Sequence, residues 1–312
     1  MTPDVLLPAA LLLIIFFTCV CAWKALLSRS ELALSAWPQP CSWGFVGIVL
    51  TIGCYIAATC GFLLAARLAL GWEFDPSAVD ALAKERSLWL NSLAELLAVL
   101  ASTLLISRGP LRFTLTPIGW TLSNAFADIR LALLVGAAVL PVIYMVQFLV
   151  TQLPGMQYKH PFITMLLASD RASLWAAVTV SAVIVAPVAE EYFFRAMLQG
   201  WFESLLSRVV SEPQPVVAEG DCEQDTPPHA IAAEPPSGLG ILRYAPILAS
   251  STIFAVAHIG HGGGWIAIFI LALALGYLYQ KTRRLLPGIL LHMFLNAISV
   301  GLAYWVSLHP PS

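Results

Sequence analysis

Charge is what this chain has least of. Asp, Glu, Lys and Arg make up 11% of its 312 residues, against 59% hydrophobic types, where soluble proteins carry about 25% charged residues. That excludes an ordinary soluble domain, and a mean hydropathy of +0.82 places the chain in the membrane class. The net charge is only −2, so there is no basic field for nucleic acid or another polyanion. The cysteines Cys19, Cys21, Cys41, Cys54, Cys60 and Cys222 include no C-x-x-C pair. Zinc-finger, redox and disulfide-framework readings therefore fail on spacing, and small apolar core residues remain. No H-E-x-x-H occurs, and neither a second Glu-Glu pair nor a repeat between the halves is present, which counts against a repeat-built transporter. The first apolar run follows Asp4 without a basic n-region, so it reads as a permanent helix rather than a cleaved signal.

What is present is a series of long apolar runs. A spanning helix needs about 20 predominantly apolar residues. On that rule helices are expected near 5–27, 44–70, 88–106, 130–150, 173–189 continuing to about 208, 244–259, 264–280 and 285–306. The expected fold class is all-α, a polytopic integral membrane protein of about eight transmembrane helices with its site inside the bundle. Basic residues in the connections set orientation. One set of alternate connections holds Lys24, Arg29, Arg108, Arg112, Arg130, Arg208, Arg243, Lys281, Arg283 and Arg284, and the other holds Arg67, Lys84, Arg86, Lys159 and Arg171. Ten against five puts the first set in the cytoplasm and both termini outside. The expected location is the bacterial plasma membrane, with the site opening toward the cytoplasm.

Residues 209–240 differ in kind. They carry Pro213, Pro215, Pro227, Pro228, Pro235 and Pro236 among Glu212, Glu219, Asp221, Glu223, Asp225 and Glu234, with no basic residue between Arg208 and Arg243. Such a segment cannot bury enough apolar surface to offset its ordering entropy, so a disordered, acidic, Pro-rich loop is expected there. Residues 1–160 supply transmembrane helices without a readable motif. The chemistry falls within 173–306, the part that the loop interrupts.

An ionisable side chain at the bilayer centre costs roughly 2.5–3.5 kcal/mol on the lenient insertion scale, so charges inside these runs need a reason. Glu190-Glu191-Tyr192-Phe193-Phe194-Arg195 follows directly on the apolar run Leu174–Ala189. Helical residues four apart share a face, so Glu191 and Arg195 stack as an ion pair in the favourable order. They read as a structural clamp. Glu190 is turned about 100° from Glu191, and its own i+4 neighbour is Phe194. A carboxylate without a charged partner on its helix, in an apolar setting, is readier to take a proton, as a general base must be. Pro187, three residues earlier, withholds one backbone donor and is expected to bend the helix. The plain alternative is a salt-bridged pair at a helix end among headgroups.

Phe254-x-x-x-His258 and His292-x-x-x-Asn296 interrupt two later runs. An imidazole and a carboxamide on one helix face can donate two hydrogen bonds to one oxygen, which is the equipment of an oxyanion hole. Their alternative is a helix-packing pair, and for His258 a satisfied core histidine. His160, His229, His261 and His309 lie in polar connections and join no constellation.

In this order, Glu-Glu-x-x-x-Arg, Phe-x-x-x-His and His-x-x-x-Asn resemble the CPBP family of intramembrane proteases. That family includes type II CAAX prenyl endopeptidases and bacterial bacteriocin-processing or immunity proteins. Ala186-Pro187 before the glutamates, and Gly276-Tyr277-Leu278-Tyr279 leading to Pro287, extend the likeness. The resemblance covers about residues 173–300 and marks 173–306 as the protease-like core. It implies an endopeptidase acting on a membrane-associated peptide or lipidated protein, CAAX-type and prenylated in the best-known branch. It implies Glu190 as general base, His258 orienting a water, His292 with Asn296 holding the oxyanion, and Glu191 with Arg195 fixing the geometry. On the metal, two arrangements stay open. A mechanism without a cofactor is preferred, and a His₂Glu zinc set of Glu190, His258 and His292 is the other. The competing function is a non-catalytic bacteriocin-immunity or transport-type protein using the same polar cluster. The expected partners are the substrate and the lipid bilayer, with no nucleic acid.

Overall fold

The structure is a computed structural model that describes residues 3–28, 43–71, 81–108, 118–156, 161–210 and 240–309. Most of the expected acidic loop (211–239), Cys41, Cys222, His160, His229 and the side chain of His261 lie outside the described residues.

Among the described residues the chain is helical and has no strands. The helices are α1 (Pro3–Ser28), α2 (Gly44–Leu70), α3 (Ala81–Arg108), α4 (Ala125–Thr151) and the short α5 (Pro161–Leu167). They continue as α6 (Ala172–Val209), α7 (Ala245–Ala257), α8 (Gly264–Thr282) and α9 (Leu286–Leu308). A 3₁₀ turn, Gly240–Tyr244, leads into α7. Seven are long and apolar enough to cross a membrane: α2, α3, α4, α6, α7 with its turn, α8 and α9. The described side chains of α1 form a shorter apolar helix, Leu13–Ser28. The protein is a polytopic all-α membrane protein, with seven rather than eight helices meeting the length requirement among the described residues.

Two helices begin earlier than hydropathy suggests, because polar contacts extend them. In α3, Glu85 accepts a 2.7 Å hydrogen bond from Ser173. In α4, Asp128 is fully buried and accepts from Arg284, through Nε at 2.8 and 3.0 Å and through Nη2 at 2.5 Å. Outward faces carry exposed Phe16, Phe17, Phe45, Val46, Ile56 and Leu68, as helices facing lipid rather than water do.

The long α6 is the central element. The α2–α3 pair lies on one side of it, while α7, α8 and α9 lie on the other. Helix α4 packs on α8 and α9, and α1 packs outside α4, where Trp23 Nε1 donates to the Ala138 carbonyl at 3.0 Å. One core cluster joins Tyr192 and Met197 of α6 to Tyr279 and Ile289, and a second joins Val135 and Ile143 of α4 to Leu271, Leu275 and Leu291. These two clusters hold the rear of the site.

Helix α6 is not a uniform α-helix. It widens into π-turns over Val180–Val185 and again over Tyr192–Gln199, on either side of the α-helical stretch Ala186–Glu191. π-turns of this kind are often found at functional sites. Pro187 stands where the first π-turn passes into that stretch. The Ala186 N–H bonds back to the Ser181 carbonyl, five residues away. In that register the Ala182 carbonyl would meet the nitrogen of Pro187, which carries no hydrogen. The lost bond is thus absorbed by a wider turn and a free carbonyl.

Candidate active site

Glu190 stands between the two histidines. Its carboxylate oxygens lie 4.0 Å from His258 Nε2 and 3.8 Å from His292 Nε2. The side chain is 27% exposed and lines a cavity of about 250 Å³. Glu190, His258, His292 and Asn296 all line this cavity, with Phe254 and Gln147. Three motifs from α6, the end of α7 and α9 therefore meet in one place.

Each histidine is held by its far nitrogen. His258 follows the last residue of α7, and its Nδ1 lies 2.7 Å from the Phe254 carbonyl. A carbonyl can only accept, so Nδ1 carries the proton and Nε2 faces Glu190 with its lone pair when the ring is neutral. His292 Nδ1 lies 3.2 Å from Glu191 Oε1. Glu191 also accepts from Arg195 Nε at 3.2 Å, and a carboxylate can only accept, so His292 is likewise protonated at Nδ1. An Nε2–H is available on His292 only when the ring is an imidazolium.

The clamp has more members than Glu191 and Arg195. Both are fully buried. Arg195 Nη1 donates to Ser250 Oγ at 3.3 Å, and Ser250 donates onward to the Phe194 carbonyl at 2.8 Å. Phe254 is the hub under the site. Its ring packs 4.6 Å from that of His258, 4.8 Å from Phe194 edge-on and 6.0 Å from His292, with the Arg195 guanidinium 5.4 Å over its face. Sequence reasoning treated Phe254 as a motif letter and passed over Ser250, which carries no signal beyond its place four residues before Phe254. It also passed over Gly288, where a Cβ would stand 3.0 Å from Glu191 Oε2.

Asn296 has a partner that the sequence did not foretell. Its Nδ2 donates at 2.7 Å to the Ala182 carbonyl, the one freed by Pro187. A carboxamide nitrogen has two hydrogens, so the second remains for the cavity.

The zinc arrangement is testable on distance. Tetrahedral zinc ligands at about 2.0–2.1 Å stand about 3.3–3.4 Å apart, whereas the separations around Glu190 are 3.8 and 4.0 Å. No group of three His, Cys, Asp or Glu among the described residues has metal-holding geometry. The set does not fit zinc as it stands.

Residues 228–298 match the type II CAAX prenyl endopeptidase family, Rce1-like. This is the CPBP-type family that the ordered motifs resemble. The matched stretch holds His258, His292 and Asn296 and begins after Glu190, Glu191 and Arg195. No curated protein and no solved structure gives a match.

Proposed function

We propose that the protein is an intramembrane endopeptidase that hydrolyses a peptide bond near the C-terminus of a membrane-associated substrate, with a prenylated CAAX-type end as the first candidate. The carrying observation is Glu190 in a cavity wall between two imidazoles, each anchored through Nδ1. A water within reach of Glu190 gives it a proton as its oxygen bonds to the scissile carbonyl carbon. His258 Nε2 accepts a hydrogen bond from the same water and orients it. The tetrahedral oxyanion is held by the free Asn296 amide hydrogen and by Nε2–H of His292 as the imidazolium, flanked by Glu190 and Glu191. Collapse breaks the C–N bond, and Glu190 returns the proton to the leaving amine.

Glu190→Gln keeps the shape and cannot take the proton. Its turnover of a farnesylated CAAX-type peptide should fall by about 10²–10⁴, with folding unchanged. Equal turnover of variant and wild type would end the general-base assignment. The proposed steps use no metal, so protein stripped by a strong chelator and checked by elemental analysis should stay active. Activity lost on chelation and restored by stoichiometric zinc overturns the metal-free step and leaves the protease reading standing.

A further inference from the structure

Along α6 the residues Glu191, Arg195, Gln199 and Glu203 recur every four positions, and all four are fully buried. Four α-helical residues turn through roughly 400°, so such a row drifts about 40° per step. The wider π-turn over Tyr192–Gln199 turns less per residue and counters that drift. The row is bonded along its length. It starts at His292 Nδ1, which donates to Glu191 Oε1, while Glu191 Oε2 accepts from Arg195 Nε, each at 3.2 Å. Gln199 Nε2 donates to Glu203 Oε1 at 3.0 Å and to the Gly276 carbonyl at 2.9 Å. Glu203 Oε2 pairs with the guanidinium of Arg283, which closes α8 in a left-handed conformation (φ 54°).

One link is open. Arg195 Nη2 and Gln199 Oε1, a donor and an acceptor, are both buried without a hydrogen bond. Both side chains border Gly276, where a Cβ would stand 2.9 Å from Gln199 Oε1 and 3.5 Å from Arg195 Nη1. Buried groups left open in this way are commonly joined by an ordered water.

Resting on the protease reading of this site, we propose that Gln199, Glu203 and Arg283 are positioning residues. The row, closed by one water between Arg195 and Gln199, holds the Glu191 carboxylate and through it the His292 ring from an anchor at the basic end of the bundle. None of the three lies among the motif letters, and none touches the cavity. Fold support alone would not transmit a change at Glu203 to the chemical step. A bonded row does.

The test uses the full chain in lipid nanodiscs with a farnesylated CAAX-type peptide. Glu203→Leu should lower kcat about tenfold, the scale of one hydrogen bond to a charged group, and leave KM within about twofold. Glu203→Gln, which keeps an acceptor for Gln199, should return kcat to within about threefold of wild type. Contributions from separate sites multiply, so Glu203→Leu combined with Arg195→Lys should instead be within about twofold of the slower single variant. Multiplying losses, an effect on KM alone or an unchanged kcat overturns the proposal. Gln199→Met gives the same tests if Glu203→Leu does not accumulate. A readout without substrate is the ¹⁵N spectrum of histidine-labelled protein, with the His292 signals assigned by their loss in His292→Ala. Wild type should show Nδ1 protonated in a single environment, and Gln199→Met a mixture of environments. Identical spectra overturn the row, whereas a wild type that leaves the peptide intact counts against the protease reading only.

Discussion

Asn296 shows how one side chain is asked to do two things. Its amide caps the Ala182 carbonyl, a group that Pro187 leaves without its backbone partner, and a buried acceptor left open costs about 1–3 kcal/mol. That bond also fixes the direction of the remaining amide hydrogen, and a pre-aimed donor is what stabilises a developing oxyanion without reorganisation. Asn296→Ala is therefore expected to lower stability by about 1–3 kcal/mol and to slow turnover by about 10²–10³ with little change in KM. Denaturation midpoints and steady-state rates on one preparation separate the two effects. A stability loss without a rate loss makes Asn296 a packing residue only. Arg195 is the opposite case, a residue wholly committed to others. Its guanidinium serves Glu191, Ser250 and the face of Phe254, and it reaches the chemistry through Glu191 and His292.

The π-turns in α6 decide the element scale. They set Ala186–Glu191 in a rotation that presents Glu190 to the cavity and Glu191 to the buried clamp, and Pro187 is the residue that makes the first of them favourable. Pro187→Ala supplies an N–H that competes with Asn296 for the Ala182 carbonyl and lets the helix return to the α register. Turnover should drop by about tenfold or more, since a small misplacement of a catalytic group is costly, while the melting temperature should not fall. Retained turnover would show that the proline does not set the register. Such turns are poorly legible in sequence. The spans themselves were readable, because runs such as Gly44–Leu70 are long and apolar and need no tertiary partner to be recognised. The pairing of Glu191 with Arg195 was readable too, being local at i,i+4. The widening to i+5 leaves no local pattern beyond the proline. Helix α5, with seven residues between polar neighbours, is too short for its periodicity to show. The Asn296 to Ala182 bond spans 114 positions and could only be found in three dimensions.

At the scale of the whole molecule, the cavity has a definite end. Phe162 and Ile163 of α5, Gly264 at the start of α8, and Ser299 and Val300 well along α9 line it. All belong to the end of the bundle opposite Asp128, Arg283 and Arg284, which meet the start of α4 and the turn into α9. The basic residues are concentrated at that opposite end, which the charge count assigns to the cytoplasm. A cavity opening at its own end of the bundle faces the non-cytoplasmic side in the orientation that the count gives, and the cytoplasm in the reverse one. The count draws on many residues, so the first of these is the expected outcome. Helix α9 ends on the side of the mouth, so a reporter fused after Ser312 reads the answer. Alkaline phosphatase there should be active and green fluorescent protein dark. A bright green fusion with an inactive phosphatase would invert the molecule and open its cavity to the cytoplasm. The geometry around Glu190 would be untouched, but the substrate's reactive end would have to arrive from the other side of the membrane.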